Sequence, residues 1–102
     1  MNGNEFKATR AYHNLTVNEA GEIFDVNPRS IRRWENGTAP IPQGIIEEWG
    51  EVAQSRAEIV EQLLTGADPQ DMLEESPAYH PALIWVAWGE MLTYPDNFGL
   101  QA

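Results

Sequence analysis

Three arginines within five residues are the part of this sequence best suited to binding chemistry. Arg29, Arg32 and Arg33 make up half of the six lysines and arginines in the 102-residue chain. Their i, i+3, i+4 spacing places them on one face of a helix. On such a face, guanidinium groups can pair with phosphates or with the O6 and N7 atoms of guanine. The alternative is a solvated basic face that binds nothing. The sequence around the three arginines distinguishes between these two interpretations.

The residues before the arginines predict a helix followed by a turn into a second helix. Thr16 and Glu19 have the spacing of a capping box, which starts a helix that we expect to end near Phe24. The second helix should be capped by Asn27 and begin at Pro28, because proline suits the first helical position. This pattern predicts a helix-turn-helix.

The helix that carries the arginines also has an apolar stripe. Ile31 and Trp34 are three residues apart and should be buried, and the arginines then face outward. Asn36-Gly37 is expected to end this helix. An earlier helix is predicted from about Asn4 to Asn14.

The net charge of −10 is distributed very unevenly along the chain. Residues 1–46 hold five basic and five acidic side chains, whereas residues 47–102 hold Arg56 and eleven acidic side chains. A neutral half with an arginine cluster beside an acidic half is typical of a small cationic contact face on an acidic body.

The second half of the chain predicts a long fourth helix and a small extension. The fourth helix should run from Gln43 to Leu64, followed by a short acidic helix from about Gln70 to Glu75. The segment from Ala82 to Trp88 is apolar on every side and only seven residues long, so strand and helix both fit. We favour strand slightly because isoleucine, valine and tryptophan favour β-structure. We expect one helix-turn-helix domain, residues 1–49, and a C-terminal extension, residues 50–102, that holds the candidate dimerisation region and has no independent core of its own.

The fourth helix carries more apolar surface than one small domain readily covers. Either the C-terminal segment packs on it, or a second copy of the chain does, and the sequence leaves both open. The candidates for a dimer interface are Val52, Ile59, Val60, Leu63, Trp85 and Trp88.

Several classes of protein are disfavoured by what the sequence lacks. Without cysteine there is no disulfide framework or thiolate metal site, and His13 and His80 are too far apart in sequence to suggest a cluster. We find no catalytic motif and expect no enzyme activity, no cofactor and no metal. No apolar run is long enough for a membrane span and no secretion signal is evident, so we expect no membrane association and a cytoplasmic protein.

The stretch from Leu15 to Gly37 resembles the signature of the lambda-repressor/Cro family, also called the xenobiotic-response-element type. The resemblance rests on a Leu-Thr…Glu-Ala opening and a Ser-Ile-x-x-Trp-Glu-Asn-Gly close, and it covers residues 5–49. Val17, Ala20-Gly21 and Asp25 depart from the residues usual in this family. The layout of the later residues is similar to that of anti-CRISPR-associated regulators of phages and mobile elements.

The resemblance implies a mainly α-helical fold: a lambda-repressor-like helix-turn-helix bundle with a long fourth helix and a small C-terminal extension. It implies a homodimeric repressor that binds double-stranded DNA at a palindromic operator. Arg29 and Arg33 would read bases, with Arg32 sharing base contacts or gripping phosphate, and Arg10 would pair with Glu35 to support the reading helix. The residues expected beside the DNA backbone are Thr16, Val17, Asn27, Asn36 and Thr38.

The sequence also fits a different class of function. The acidic C-terminal half could contact a protein partner, and the chain would then be an interaction module, antitoxin-like or an accessory inhibitor, that uses a helix-turn-helix scaffold.

Overall fold

The computed structural model describes residues 1–75 and 79–99, which form six α-helices and one short 3-10 helix, with no strand among them. This confirms the prediction of a mainly α-helical fold. None of the helices in these two ranges is long and apolar enough to cross a membrane. The helices are α1 (Gly3–Tyr12), α2 (Val17–Phe24), α3 (Pro28–Glu35), α4 (Gln43–Leu64), α5 (Pro69–Glu75) and α6 (Pro81–Thr93), and the 3-10 helix is Pro95–Phe98.

The chain divides into two compact units, Met1–Glu51 and Val52–Ala102. The boundary falls inside α4, so the first turns of that helix belong to the first unit and the remaining turns to the second.

Capping boxes start the first two helices of the first unit. The Thr16 side chain accepts a hydrogen bond from the Glu19 backbone N–H at 3.1 Å, and the Glu19 carboxylate accepts one from the Thr16 N–H at 2.9 Å. Asn2 and Glu5 make the same pair of bonds at the start of α1. This second box explains why α1 begins at Gly3, one residue earlier than predicted.

An aromatic cluster forms the core of the first unit. Phe6 is fully buried, and its ring centroid lies 5.3 Å from that of Trp49 and 5.7 Å from that of Trp34. Phe24 packs edge-on against Trp49 at 4.8 Å. His13 is also buried and stacks on Trp49, with 5.6 Å between ring centroids. One side chain from each of the first four helices therefore meets in this cluster.

In the second unit, the segment from Ala82 to Trp88 is helical and forms part of α6, so our slight preference for strand was wrong. The His80 side chain caps the helix by accepting a hydrogen bond from the Ala82 N–H at 3.1 Å, and Pro81 occupies the first position. The buried side chains follow helical spacing along α6. Local capping and burial on one face outweigh the β-propensity of individual residues.

The dimer candidates differ in how much of their surface the chain itself already buries. Val52, Ile59 and Leu63 are 0–6% exposed and belong to the core of the monomer. The chain's own residues cover these three side chains, and a part for them in a dimer interface stays a prediction. Val60 and Trp88 are half-buried, and Trp85 is 50% exposed.

Candidate nucleic-acid interface

The turn between α2 and α3 sets the direction in which α3 leaves. Asp25 ends α2 in the left-handed conformation, with φ of 55°, which aspartate adopts more readily than most residues. The Val26 N–H then bonds to the Gly21 carbonyl at 2.9 Å. A Cβ atom on Gly21 would lie 2.9 Å from the Val26 carbonyl oxygen, so this close turn requires the glycine.

Helix α3 begins as the sequence predicts. Asn27 is the N-cap, and its side-chain oxygen accepts a hydrogen bond from the Arg29 N–H at 2.8 Å. Pro28 is the first helical residue, where its missing N–H leaves no donor unsatisfied. The start of α3 is thus held by local bonds immediately before the first of the three arginines.

The buried and exposed residues of α3 lie on opposite faces. Ile31 is fully buried and Trp34 is 7% exposed. Arg29, Arg32 and Arg33 are all exposed. Neither of the two ion pairs found in residues 1–75 and 79–99 involves any of the three. The three guanidinium groups therefore stand together at the protein surface, where an anionic ligand can reach them.

The far end of α3 is braced by an ion pair with α1. Arg10 donates from Nε to one oxygen of Glu35 at 2.7 Å and from Nη2 to the other at 2.9 Å. Its third nitrogen, Nη1, donates to the Leu15 carbonyl at 2.9 Å. The hydrogen bonds to Glu35 raise the pKa of Arg10 above its ordinary value. The pair that the resemblance implies is present, with 15% and 10% of the two side chains exposed.

Most of the residues expected beside a DNA backbone make hydrogen bonds to nearby residues of the chain. The oxygens of Thr16 and Asn27 cap α2 and α3, as described above. The Asn36 side-chain oxygen accepts hydrogen bonds from both the N–H and the hydroxyl of Thr38. Val17 is half-buried and has no polar atom in its side chain to offer a phosphate. Asn36 and Thr38 are thus brought together just after α3, and both remain exposed.

Two features of this unit were not predicted from the sequence. The box formed by Asn2 and Glu5 has the Asn-x-x-Glu spacing of a helix start, which could have been recognised in the sequence. The close approach of Gly3 to the last residues of α3 has no local signature, because it joins parts of the chain about thirty residues apart.

The chain matches a known protein family. The family model described as Aca2/YdiL-like matches residues 1–91. None of the curated proteins matches the chain.

Proposed function

The chain belongs to the Aca2/YdiL-like family, and from that premise we propose that it is a sequence-specific DNA-binding repressor that occupies a palindromic operator as a homodimer. The family is one of helix-turn-helix regulators and not of enzymes, and it belongs with the anti-CRISPR-associated regulators. We propose that the regulated genes lie on a phage or another mobile element. Lambda-repressor-type docking, with α3 in the major groove, is part of this proposal.

The observation that carries the proposal is the exposed arginine face of α3. A helix-turn-helix presents the N-terminal part of its second helix to base edges in the major groove. Arg29 lies in the first turn of α3 and Arg33 one turn later on the same side. Each can make a bidentate pair with guanine, and Arg32 beside them serves phosphate or shares a base contact. The overall acidity does not oppose this, because the excess of acid lies in residues 47–102.

Base reading by these arginines is tested with variants on a selected operator. The operator comes from selection of bound sites out of random duplex DNA. Arg29→Ala and Arg33→Ala should each cost about 1–3 kcal/mol of operator binding and relax the preference at one base position. Lys7→Ala is the matched control, since it removes an exposed cation from α1. If both arginine variants bind the operator as the parent does, the proposed reading face is wrong.

A homodimer is proposed because one helix-turn-helix contacts only a few base pairs. Specific binding usually joins two half-sites about 34 Å apart. The second unit offers an apolar surface for this, which we call the α6 face: Trp85, Trp88 and Leu92. Trp85 and Leu92 are 50% and 64% exposed and lie two helical turns apart. Residues 1–49 are then the DNA-binding domain and residues 50–102 the dimerisation domain.

The charge pattern favours a second copy as the partner of the α6 face. Glu90 is the single charged residue in α6, and Arg56 pairs with it. Acidic side chains dominate the rest of this half of the chain, so two copies approaching elsewhere would repel each other. An uncharged apolar surface is the place where two acidic bodies can meet at least cost.

Sedimentation equilibrium tests the dimer directly. Trp85→Glu places a carboxylate on the α6 face and should convert the dimer to monomers with weak operator binding. Ala53→Glu is the matched control, since Ala53 is an exposed residue of α4 in the same unit. A parent protein that is monomeric at operator-binding concentrations would refute the dimer, as would a Trp85→Glu variant that dimerises like the parent.

A second candidate function is a protein-interaction module of the antitoxin or accessory-inhibitor kind. It is favoured by the eleven acidic side chains of residues 47–102, a surface suited to a basic protein partner. This function predicts no DNA binding even at low salt, which distinguishes it from the repressor.

A further inference from the structure

We infer that Gly3 is a positioning residue for the DNA-reading helix: its missing side chain lets the start of α1 lie directly on the end of α3, and this contact sets where α3 stands. The inference rests on the proposed function of α3. The observation behind it is the position that a Cβ atom would take at Gly3. That atom would collide with the Trp34 carbonyl oxygen and lie 2.6 Å from the Glu35 carbonyl oxygen and 2.9 Å from the Glu35 carbonyl carbon.

The colliding atoms all belong to the backbone. A flexible side chain could rotate away from a new methyl group, but carbonyl groups at the end of a helix move only with the helix. A Cβ atom and a neighbouring heavy atom stay at least 3.0 Å apart, and ordinary van der Waals contact begins at 3.4 Å, against 2.6 Å for the Glu35 oxygen. Alanine therefore requires a displacement of about 0.4 Å to relieve this overlap and about 0.8 Å to restore ordinary contact. Binding groups commonly have to be held within about 0.5 Å of their productive geometry.

Helix α1 is not free to absorb this displacement alone. Gly3, Phe6 and Arg10 follow i, i+3, i+7 spacing, so they lie on one face of α1. Phe6 is fully buried and packs edge-on against Trp34. Arg10 holds Glu35 by two hydrogen bonds. Three successive contacts along one face of α1 thus fasten it to the last residues of α3.

Helix α3 cannot shift as a whole to make room for the methyl group, because its other contacts also hold it in place. Ile31 is fully buried, and the start of α3 is held by the Asn27 cap and the close turn at Gly21. A methyl group at position 3 is therefore expected to tilt α3 about its fixed start. Arg33 precedes Trp34 directly, so it moves with the displaced end.

The test compares Gly3→Ala with Gly50→Ala. Both replace a helical glycine of the first unit, but a Cβ at Gly50 would meet nothing within 4 Å. Operator and random-sequence affinities are measured for both variants well below their unfolding temperatures, together with backbone amide chemical shifts. Gly3→Ala should lower the ratio of operator to random-sequence affinity by about tenfold, the value of one misaligned arginine–guanine pair. Amide shifts should change throughout α3. Gly50→Ala should leave both measurements at the parent values.

The results separate positioning from general stability. A merely structural role would lower the unfolding temperature of Gly3→Ala but leave its operator preference and its α3 shifts unchanged, and that result overturns the inference. If Gly3→Ala does not fold, removal of Met1 to Gly3 decides instead: lost operator preference supports the inference, and retained preference overturns it. A parent protein that binds no DNA would refute the proposed function, and the α3 shifts of Gly3→Ala would still test the positioning.

Discussion

Breaking the ion pair between Arg10 and Glu35 should be among the most damaging single changes to the first unit. Arg10→Met removes the two charge-assisted bonds to Glu35, and the bond to the Leu15 carbonyl with them, and leaves a carboxylate that is only 10% exposed without its partner. Stranding one member of a fully buried pair costs about 3–5 kcal/mol. Because water reaches part of both side chains here, we expect about 2–3 kcal/mol, or a fall of about 10–20 °C in the unfolding temperature.

A double-mutant cycle isolates the pair from the other contacts of Arg10. Glu35→Leu should cost about 1 kcal/mol less than Arg10→Met, because the bond from Arg10 to the Leu15 carbonyl is lost only in the latter. The double variant should recover much of the loss, since no unpaired charge remains. Urea unfolding of the four proteins measures the coupling free energy, expected near about 2 kcal/mol. A coupling below about 0.5 kcal/mol would refute the structural role given to this pair.

Three further changes test local features of the structure. Asp25→Gly should raise the free energy of unfolding by up to about 1 kcal/mol, because glycine adopts the left-handed conformation without strain. A lower free energy of unfolding would contradict this conformation at position 25. Thr16→Ala should cost about 1 kcal/mol by removing the cap of α2, and an unchanged midpoint in urea would contradict that. The hydrogen bond to Glu58 raises the pKa of Tyr79 in the folded protein. This bond therefore stabilises the fold below about pH 10, the ordinary pKa of tyrosine. Its contribution to the free energy of unfolding is lost as the pH rises through the pKa of Tyr79 in the folded protein. Tyrosinate absorbance should show one late-titrating tyrosine that Glu58→Gln returns towards the ordinary value.

The elements around the candidate interface could be predicted because their signals are local. Thr16 with Glu19, and Asn27 with Pro28, determine where α2 and α3 begin through bonds spanning two or three residues. The inward and outward faces of α3 followed from the spacing of Ile31 and Trp34. Such patterns are visible in a single sequence because nothing distant is needed to satisfy them.

The features that could not be predicted from the sequence depend on contacts between distant parts of the chain. The preference for strand in α6 failed because propensity carries no information about which face a neighbouring element buries. The sequence pattern assigned Leu63 and Ile59 to surplus apolar surface on α4, whereas in the structure other residues of the chain bury both side chains. Arg56 pairs with Glu90, thirty-four residues away, and no spacing rule connects the two.

If the exposed arginines of α3 bind duplex DNA, the affinity must depend on salt concentration. Mixed-sequence and operator duplexes are titrated with the parent protein from low to moderate salt. We expect clear binding at low salt that weakens steeply as the salt concentration rises, because ions released from the phosphates drive the binding. If Arg32 contacts a phosphate, the affinity of Arg32→Ala should fall less steeply with rising salt concentration than that of the parent protein. If neither duplex binds detectably at low salt, α3 is not a DNA-binding helix and a protein partner is favoured.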